Sequence, residues 1–212
     1  MDVFNPAPFH SLYTPTGEKL GNGGFGSVHT YIRNDNNKEY AVKIVDISTE
    51  ERKKQNLREI QFLTAVSHSD NVLRLHEYFI DTERYFIVLD KLAYGDLFDY
   101  MDMHSYRSDV AIATIVKGIA NGLKAMHDAG IQHRDVKPEN VLVEMPNNDS
   151  DSDDYIGHDS SIGNIINTMS ELMIGAKKSF RDVPLKVKLC DLNLATDAPI
   201  STTFQGKDHT VC

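Results

Sequence analysis

A change of hydrophobic period partway along the chain constrains the fold more than any other feature. Before residue 90 the apolar residues come in short alternating runs broken by turn formers, and after Gly95 they recur at helical spacing. SVHTYIR and KEYAVKIV flank Asn34-Asp35-Asn36-Asn37, which predicts a β-hairpin. Ser48-Thr49-Glu50-Glu51 offers capping residues to a helix running through Leu57, Ile60 and Leu63. VLRLHEYF and RYFIVLD predict another strand pair, turning at Asp81-Thr82-Glu83. Further on, Ile112, Ile115, Val116, Ile119, Leu123 and Met126 share a helical face over about four turns. Ser108 or Asp109 can cap the start of that helix, and Gly130 sits where a terminating glycine belongs. The pattern predicts an α+β chain with a β-rich lobe, a linker near residues 90–96 and a helix-led second lobe.

Composition narrows the function classes. A chain of 212 residues can bury most of its apolar surface without disulfides or structural metals. The net charge of −9 argues against a nucleic-acid partner, which needs a surplus of Lys and Arg. No run approaches the roughly 18 apolar residues of a spanning helix, so no membrane association is expected. MDVFNPAPFH lacks the basic and apolar regions of a secretory leader, and Cys190 and Cys212 make a poor disulfide framework. An intracellular setting, cytoplasmic or nuclear, is the expectation. Pro146 to Leu185 carries seven acidic and three basic residues, hence four of the nine net negative charges. It reads as a disordered insertion; alternatively Ile165, Met169, Leu172 and Met173 form one face of a short helix that docks a partner. Ser150 and Ser152, set among aspartates, are candidate phosphorylation sites.

Three stretches carry chemistry. Leu20-Gly21-Asn22-Gly23-Gly24-Phe25-Gly26-Ser27-Val28 contains G-x-G-x-x-G-x-V, whose glycines let backbone N–H groups close over phosphates. Alone the pattern also suits a dinucleotide-binding turn or a ligand-free hairpin, but strand-like SVHTYIR follows where the dinucleotide unit needs a helix. Ala41-Val42-Lys43-Ile44-Val45 comes at the spacing of a neighbouring strand, and Lys43 there is either a solvated strand lysine or a functional one. The third stretch is His133-Arg134-Asp135-Val136-Lys137-Pro138-Glu139-Asn140.

With that octapeptide downstream of the glycine loop and AVK, the chain resembles the eukaryotic-type protein kinases, and HRDVKPEN resembles their catalytic loop. The resemblance implies a two-lobe α+β fold with a β-rich N-lobe and, here, an incomplete helical C-lobe. It implies ATP and Mg²⁺ as cofactors and a protein serine or threonine hydroxyl as phosphoryl acceptor. Gly21, Asn22, Gly23, Gly24, Phe25 and Gly26 would cover the phosphates, and Lys43, paired with Glu59, would contact them. Glu50 and Glu51 fall too early in the helix for that pairing. Asp135 would accept the substrate hydroxyl proton; Lys137, a mark of serine/threonine kinases, would steady the γ-phosphate. Asn140 and Asp191 would hold the metal. Leu20, Val28, Ala41 and Leu142 would sandwich the adenine, with Leu89 behind and backbone groups from Asp90 to Leu92 at the hinge, although core packing explains those apolar residues equally well. Arg134 resembles an arginine that pairs with an activation-segment phosphate, for which Ser201, Thr202, Thr203 and Thr210 are candidates.

The likeness runs from about Leu12 to Cys212 and departs from the family in two places. The family's D-F-G triplet reads Asp191-Leu192-Asn193. Leu192 can still fill an apolar column with Leu63, Leu75 and His133. Asn193 replaces a glycine; asparagine tolerates left-handed backbone at a strain on the order of 1 kcal/mol or less, so the departure bears on switching of the segment more than on metal binding. The likeness also ends inside the activation segment, before A-P-E and the later helices, which would leave Ile112, Ile115, Ile119 and Leu123 partly uncovered. The expected organisation is an N-terminal tail over residues 1–11, an N-lobe over 12–92 and a partial C-lobe over 93–212 with the acidic insertion at about 146–185. The leading reading is a truncated serine/threonine kinase catalytic domain. A kinase-like nucleotide- or partner-binding module with weak or no catalysis is the alternative, and a fragment without independent activity is a third.

Overall fold

The computed structural model describes residues 3–23, 26–93, 95–103, 109–144 and 185–198. Five antiparallel strands form one sheet in the order β1-β2-β3-β5-β4: β1 Tyr13–Gly23, β2 Gly26–Arg33, β3 Glu39–Asp46, β4 Leu75–Ile80 and β5 Arg84–Asp90. Both predicted hairpins form. Asn37 takes the left-handed conformation (φ 55°) in the β2–β3 turn, and Asp81 Oδ1 accepts from the N–H groups of Glu83 and Arg84 in the β4–β5 turn. The helix between β3 and β4, α2, spans Glu50–Ala65, and the Thr49 side chain caps it by accepting from the Arg52 N–H at 3.2 Å.

The expected strand VLRLHEYF is shorter at its start, because residues 71–73 turn to the second lobe. Leu73 N–H donates to Leu189 O (2.8 Å) and Leu189 N–H to Asn71 O (2.9 Å), forming a parallel bridge between Val72 and Leu189. This stitch joins the N-lobe to a two-stranded sheet of β6 Val141–Glu144 and β7 Lys186–Leu189.

Val3 to Ser11, within the stretch expected to be a tail, is docked on the N-lobe. Val3 O and Asn5 N–H bond to Tyr78, which covers the exposed edge of β4. A single turn, α1 Phe9–Leu12, then drops Phe9 into an aromatic cluster on the sheet's outer face. Phe9 stacks on Phe86 (4.3 Å between centroids) and Tyr13 (5.0 Å) and meets Tyr31 and Phe79 edge-on.

After the linker, Asp96 Oδ1 accepts the Asp99 N–H and starts the short helix α3, Leu97–Met103. The long helix α4 spans Asp109–Asp128 and ends on Gly130 (φ 74°), with Gly130 N–H bonded to His127 O and Ile131 N–H to Met126 O. Its buried face is Ala111, Ile115, Gly118, Gly122 and Met126. That face is rotated from the expected stripe: Ile112 and Val116 are exposed, whereas Ile119 and Leu123 are half-buried against the core. The two glycines set the rotation, because only a face without side chains admits Val187, Leu189 and Asn71 so closely. The capping expectation at Ser108, the 146–184 insertion expectations and those at Ser201, Thr202, Thr203 and Thr210 lie outside the described residues. Among the described residues, no helix is long and apolar enough to cross a membrane.

Candidate active site

The glycine-rich stretch is the tip of the β1–β2 hairpin, with Gly21 opposite Val28, Asn22 opposite Ser27 and Gly23 opposite Gly26. Gly24 and Phe25 lie outside the described residues. Gly26 cannot be replaced without rearrangement: its φ is 145°, and an added Cβ would sit 2.2 Å from Ile44 O. One strand over, β3 places Lys43 opposite Val28 and beside Ile87 of β5. Val28, Ala41, Leu89, Leu92 and Leu142 all belong to, or pack against, one continuous apolar cluster, while Leu20 is exposed at the hairpin. The Asp90 N–H is already bonded to Arg74 O, so at this linker position only the Asp90 carbonyl could serve a ligand.

Lys43 Nζ meets both oxygens of Glu59, at 2.7 and 2.9 Å, with the two side chains 12% and 3% exposed. Helix α2 presents Glu59 on its buried face, three turns in from the Thr49 cap, while Glu50 and Glu51 stay exposed in the first turn. Burial pushes the Glu59 carboxyl above its ordinary range, and the Lys43 ammonium opposes that shift. Lys43 Nζ also lies 3.6 Å from Asp191 Oδ1, so one cation faces two carboxylates from different elements.

The loop His133–Asn140 folds back on itself. Asn140 Nδ2 donates to Asp135 O (2.8 Å) and Oδ2 (2.9 Å), and Lys137 Nζ lies 3.1 Å from Asp135 Oδ2. Burial alone would raise the Asp135 carboxyl, but the hydrogen bonds from Lys137 and Asn140 carry it below its ordinary value. Asp135 is therefore an ionised acceptor at neutral pH. His133 is buried; its Nδ1 accepts the Asp135 N–H, so the proton sits on Nε2, which donates to Cys190 O at 3.0 Å. Burial pushes the imidazole pKa down and keeps it neutral. Cys190 N–H donates to Asn140 O (3.0 Å), and Gln132 and Thr196 exchange backbone bonds. These contacts lock the loop bearing Asp135 to the segment bearing Asp191. The Cys190 thiol is pushed up to about 12 by burial and by neighbouring Asp191, so it is not a nucleophile.

The expectation for Asn193 is overturned by the backbone. Asn193 lies in a 3₁₀ turn, Leu192–Leu194, without a positive φ; the left-handed residue is Asp191 (φ 58°, ψ 74°). The turn closes through Ala195 N–H to Leu192 O and so needs no glycine-like residue at 193. Asn193 Nδ2 donates to Asp191 Oδ1, a contact that no motif or spacing signals. Its Oδ1 is, among the described residues, a buried side-chain atom without a partner, at a cost of about 1–3 kcal/mol. Leu192 is fully buried in the same cluster as Leu63 and Leu75.

Asp191 and the side-chain oxygen of Asn140 are hard donors, and with Asn140 Nδ2 committed to Asp135 the amide's ligating end is its oxygen. Two protein oxygens suit a Mg²⁺ completed by phosphate oxygens and water. An all-protein cage is not the pattern here: among the described residues no group of three or more His, Cys, Asp and Glu could hold a metal. Arg134, with φ 68°, lines a cleft of about 340 Å³ together with Lys54, Arg58 and Asn193.

Residues 14–210 match the family model described as protein kinase domain. The chain belongs to the protein kinase family. Its similar relatives include the MAP kinase-interacting serine/threonine-protein kinase mnk-1 of Caenorhabditis elegans, 33% identical over 90% of this chain and 22% of that protein. MAP kinase-interacting serine/threonine-protein kinase 2 of Xenopus laevis is 33% identical over 65% of this chain and 30% of that protein. Calcium-dependent protein kinase 4 of Plasmodium falciparum is 35% identical over 60% of this chain and 25% of that protein. This kinase chain thus spans between about a fifth and a third of the length of such relatives. Protein kinases as a family use ATP and Mg²⁺.

Proposed function

We propose that this domain transfers the γ-phosphoryl group of Mg²⁺-ATP to a serine or threonine hydroxyl of a protein substrate. One observation carries the reading: the Asp135 carboxylate is ionised, oriented by Asn140 and Lys137, and tied through His133 and Cys190 to the segment that presents Asp191. When bound, Mg²⁺-ATP supplies the transferable phosphoryl group with part of its charge neutralised. The chain's own contribution is position and charge. Backbone N–H groups of the Gly21–Gly26 stretch would lie over the phosphates, and Lys43, held by Glu59, would contribute an ammonium. Val28, Ala41 and Leu142, which belong to or pack against one apolar cluster, would close on the adenine, and backbone groups from the Asp90 carbonyl to Leu92 would meet its edge. Asn140 and Asp191 would furnish oxygen ligands to the metal. Asp135 would accept the hydroxyl proton as that oxygen bonds to the γ-phosphorus and the bond from γ-phosphorus to the bridging oxygen breaks, with ADP leaving; Lys137, held beside Asp135, would steady the γ-phosphate.

We take residues 12–92 as the N-lobe and 93–212 as part of the C-lobe. A phosphate on Ser201, Thr202, Thr203 or Thr210 would find Arg134, Arg58 and Lys54 along one cleft. The half-buried Cys190 thiol, free of a disulfide, suits a reducing intracellular setting. A nucleotide- or partner-binding module without catalysis is not favoured, since binding alone gives no use to two donors converging on Asp135.

Transfer of ³²P from γ-labelled ATP to a generic basic protein, followed by phosphoamino-acid analysis, tests the proposal. The expected result is phosphoserine or phosphothreonine with the parent and background labelling with Asp135→Ala. Equal labelling by both would remove Asp135 from the role of base.

A further inference from the structure

We propose that Asn193 is a positioning residue that fixes which oxygen of Asp191 faces the divalent cation. The inference rests on the metal-holding role read for Asp191 above. Asn193 Nδ2 donates to Asp191 Oδ1, and Lys43 Nζ stands 3.6 Å from that same oxygen. With Oδ1 engaged from two sides, Oδ2 is the oxygen presented to a cation. The side-chain torsion of Asp191 is then set by the protein before any ligand arrives.

Three observations separate this from a packing role. The backbone at 193 is an ordinary 3₁₀ turn, so no φ requirement selects asparagine there. The other end of the amide, Oδ1, is buried with no hydrogen-bond partner, so the side chain carries an orphaned carbonyl that an alanine would not. Turning the amide over offers no relief, because it would set a carbonyl oxygen against a carboxylate oxygen. The side chain is therefore held against the interest of the fold by its one charge-assisted bond, the one to Asp191. Asp191 has its own left-handed backbone and is 41% exposed, so without that donor little but Lys43 restrains its carboxylate. The arrangement is an outer-shell contact of the kind that orients metal ligands.

The test is Mn²⁺ binding in the presence of saturating ADP, read from the electron paramagnetic resonance signal of free Mn²⁺, alongside the melting temperature. Parent, Asn193→Ala, Asn193→Ser and Asp191→Ala are compared. Asn193→Ala is expected to weaken Mn²⁺ about tenfold with a melting temperature equal to or above the parent's. Asn193→Ser keeps an O–H donor, one bond nearer the backbone than Nδ2, and is expected to recover part of the loss. Equal Mn²⁺ affinity in parent and Asn193→Ala overturns the proposal. So does a lowered melting temperature in Asn193→Ala with no recovery by Asn193→Ser, which would assign the residue to packing. If Asp191→Ala binds Mn²⁺ as the parent does, the metal role of Asp191 fails first and the Asn193 proposal falls with it.

Discussion

Lys43, Asp135 and Asp90 show how single residues in this chain are defined by the donors around them. Asp90, at the end of β5, is held by His76 Nε2 at 2.7 Å and Lys188 Nζ at 2.6 Å. Burial alone would raise its carboxyl, but those two hydrogen bonds and the Lys188 charge bring it down to about 2 from the ordinary 3.8. The folded protein therefore releases this proton more readily than the unfolded chain does. The resulting stabilisation, about 2 kcal/mol, is complete above pH 3.8 and is lost as the pH falls through about 2. Urea unfolding of Asp90→Asn against the parent should show that deficit at pH 7 and a vanishing difference near pH 2; a constant difference across the range would contradict it. Lys188 reaches Asp90 from β7, so the pair also ties the second lobe to the linker. None of this was legible beforehand, because Asp90, His76 and Lys188 are far apart in sequence and carry no spacing signal. The pairing of Lys43 with Glu59 was legible only through the family resemblance, which singled out Glu59 over Glu50 and Glu51. The side-chain contact of Asn193 was not, since the sequence shows a missing glycine and not where the amide points.

Elements were read more accurately than their contacts. Alternation and turn chemistry located β2, β3, β5 and the β4–β5 turn, and Thr49 located the start of α2. Three features escaped for separate physical reasons. The turn α1 is four residues long and is held by the tertiary burial of Phe9, not by propensity. The short helix α3 has one signal, the Asp96 cap. The buried face of α4 follows Gly118 and Gly122, and glycines do not register in a count of apolar residues. Gly122 gives the element-scale prediction: a Cβ there would lie 2.5 Å from Asn71 O and 2.9 Å from Leu189 Cδ1. Alanine would gain about 1 kcal/mol of helix propensity but cost about 1–3 kcal/mol in forced displacement of a backbone oxygen and the β7 strand. A lower melting temperature for Gly122→Ala is expected; an increase would mean that the contact relaxes freely.

At the scale of the whole molecule, contacts among the described residues stitch the two lobes around the site of Lys43, Asp135 and Asp191. They include the Leu73–Leu189 backbone bonds, Lys188–Asp90 at the linker, Lys43 facing Asp191, and Arg58 of α2 bonded to Thr196 and Asp197. The two-lobe plan was legible from the change of period and from HRDVKPEN. The stitch through residues 71–73 was hidden, because Val72 and Leu73 read as the start of a strand. Val110, Ile112 and Val116 of α4 remain 62%, 49% and 58% exposed. Lys43 and Glu59 come from one lobe and Asp135, Asn140 and Asp191 from the other, so a nucleotide bound between them with its cation should stabilise the molecule as a unit. The direct test is the melting temperature of the parent and Asp191→Ala with ATP, in the presence and absence of Mg²⁺. At a hundredfold excess of Mg²⁺-ATP over its Kd, the parent should gain about 2.7 kcal/mol, a rise on the order of 5–10 °C. Asp191→Ala, or removal of Mg²⁺, should abolish most of that rise. An unchanged parent melting temperature, or an equal rise in Asp191→Ala, would contradict the site described here.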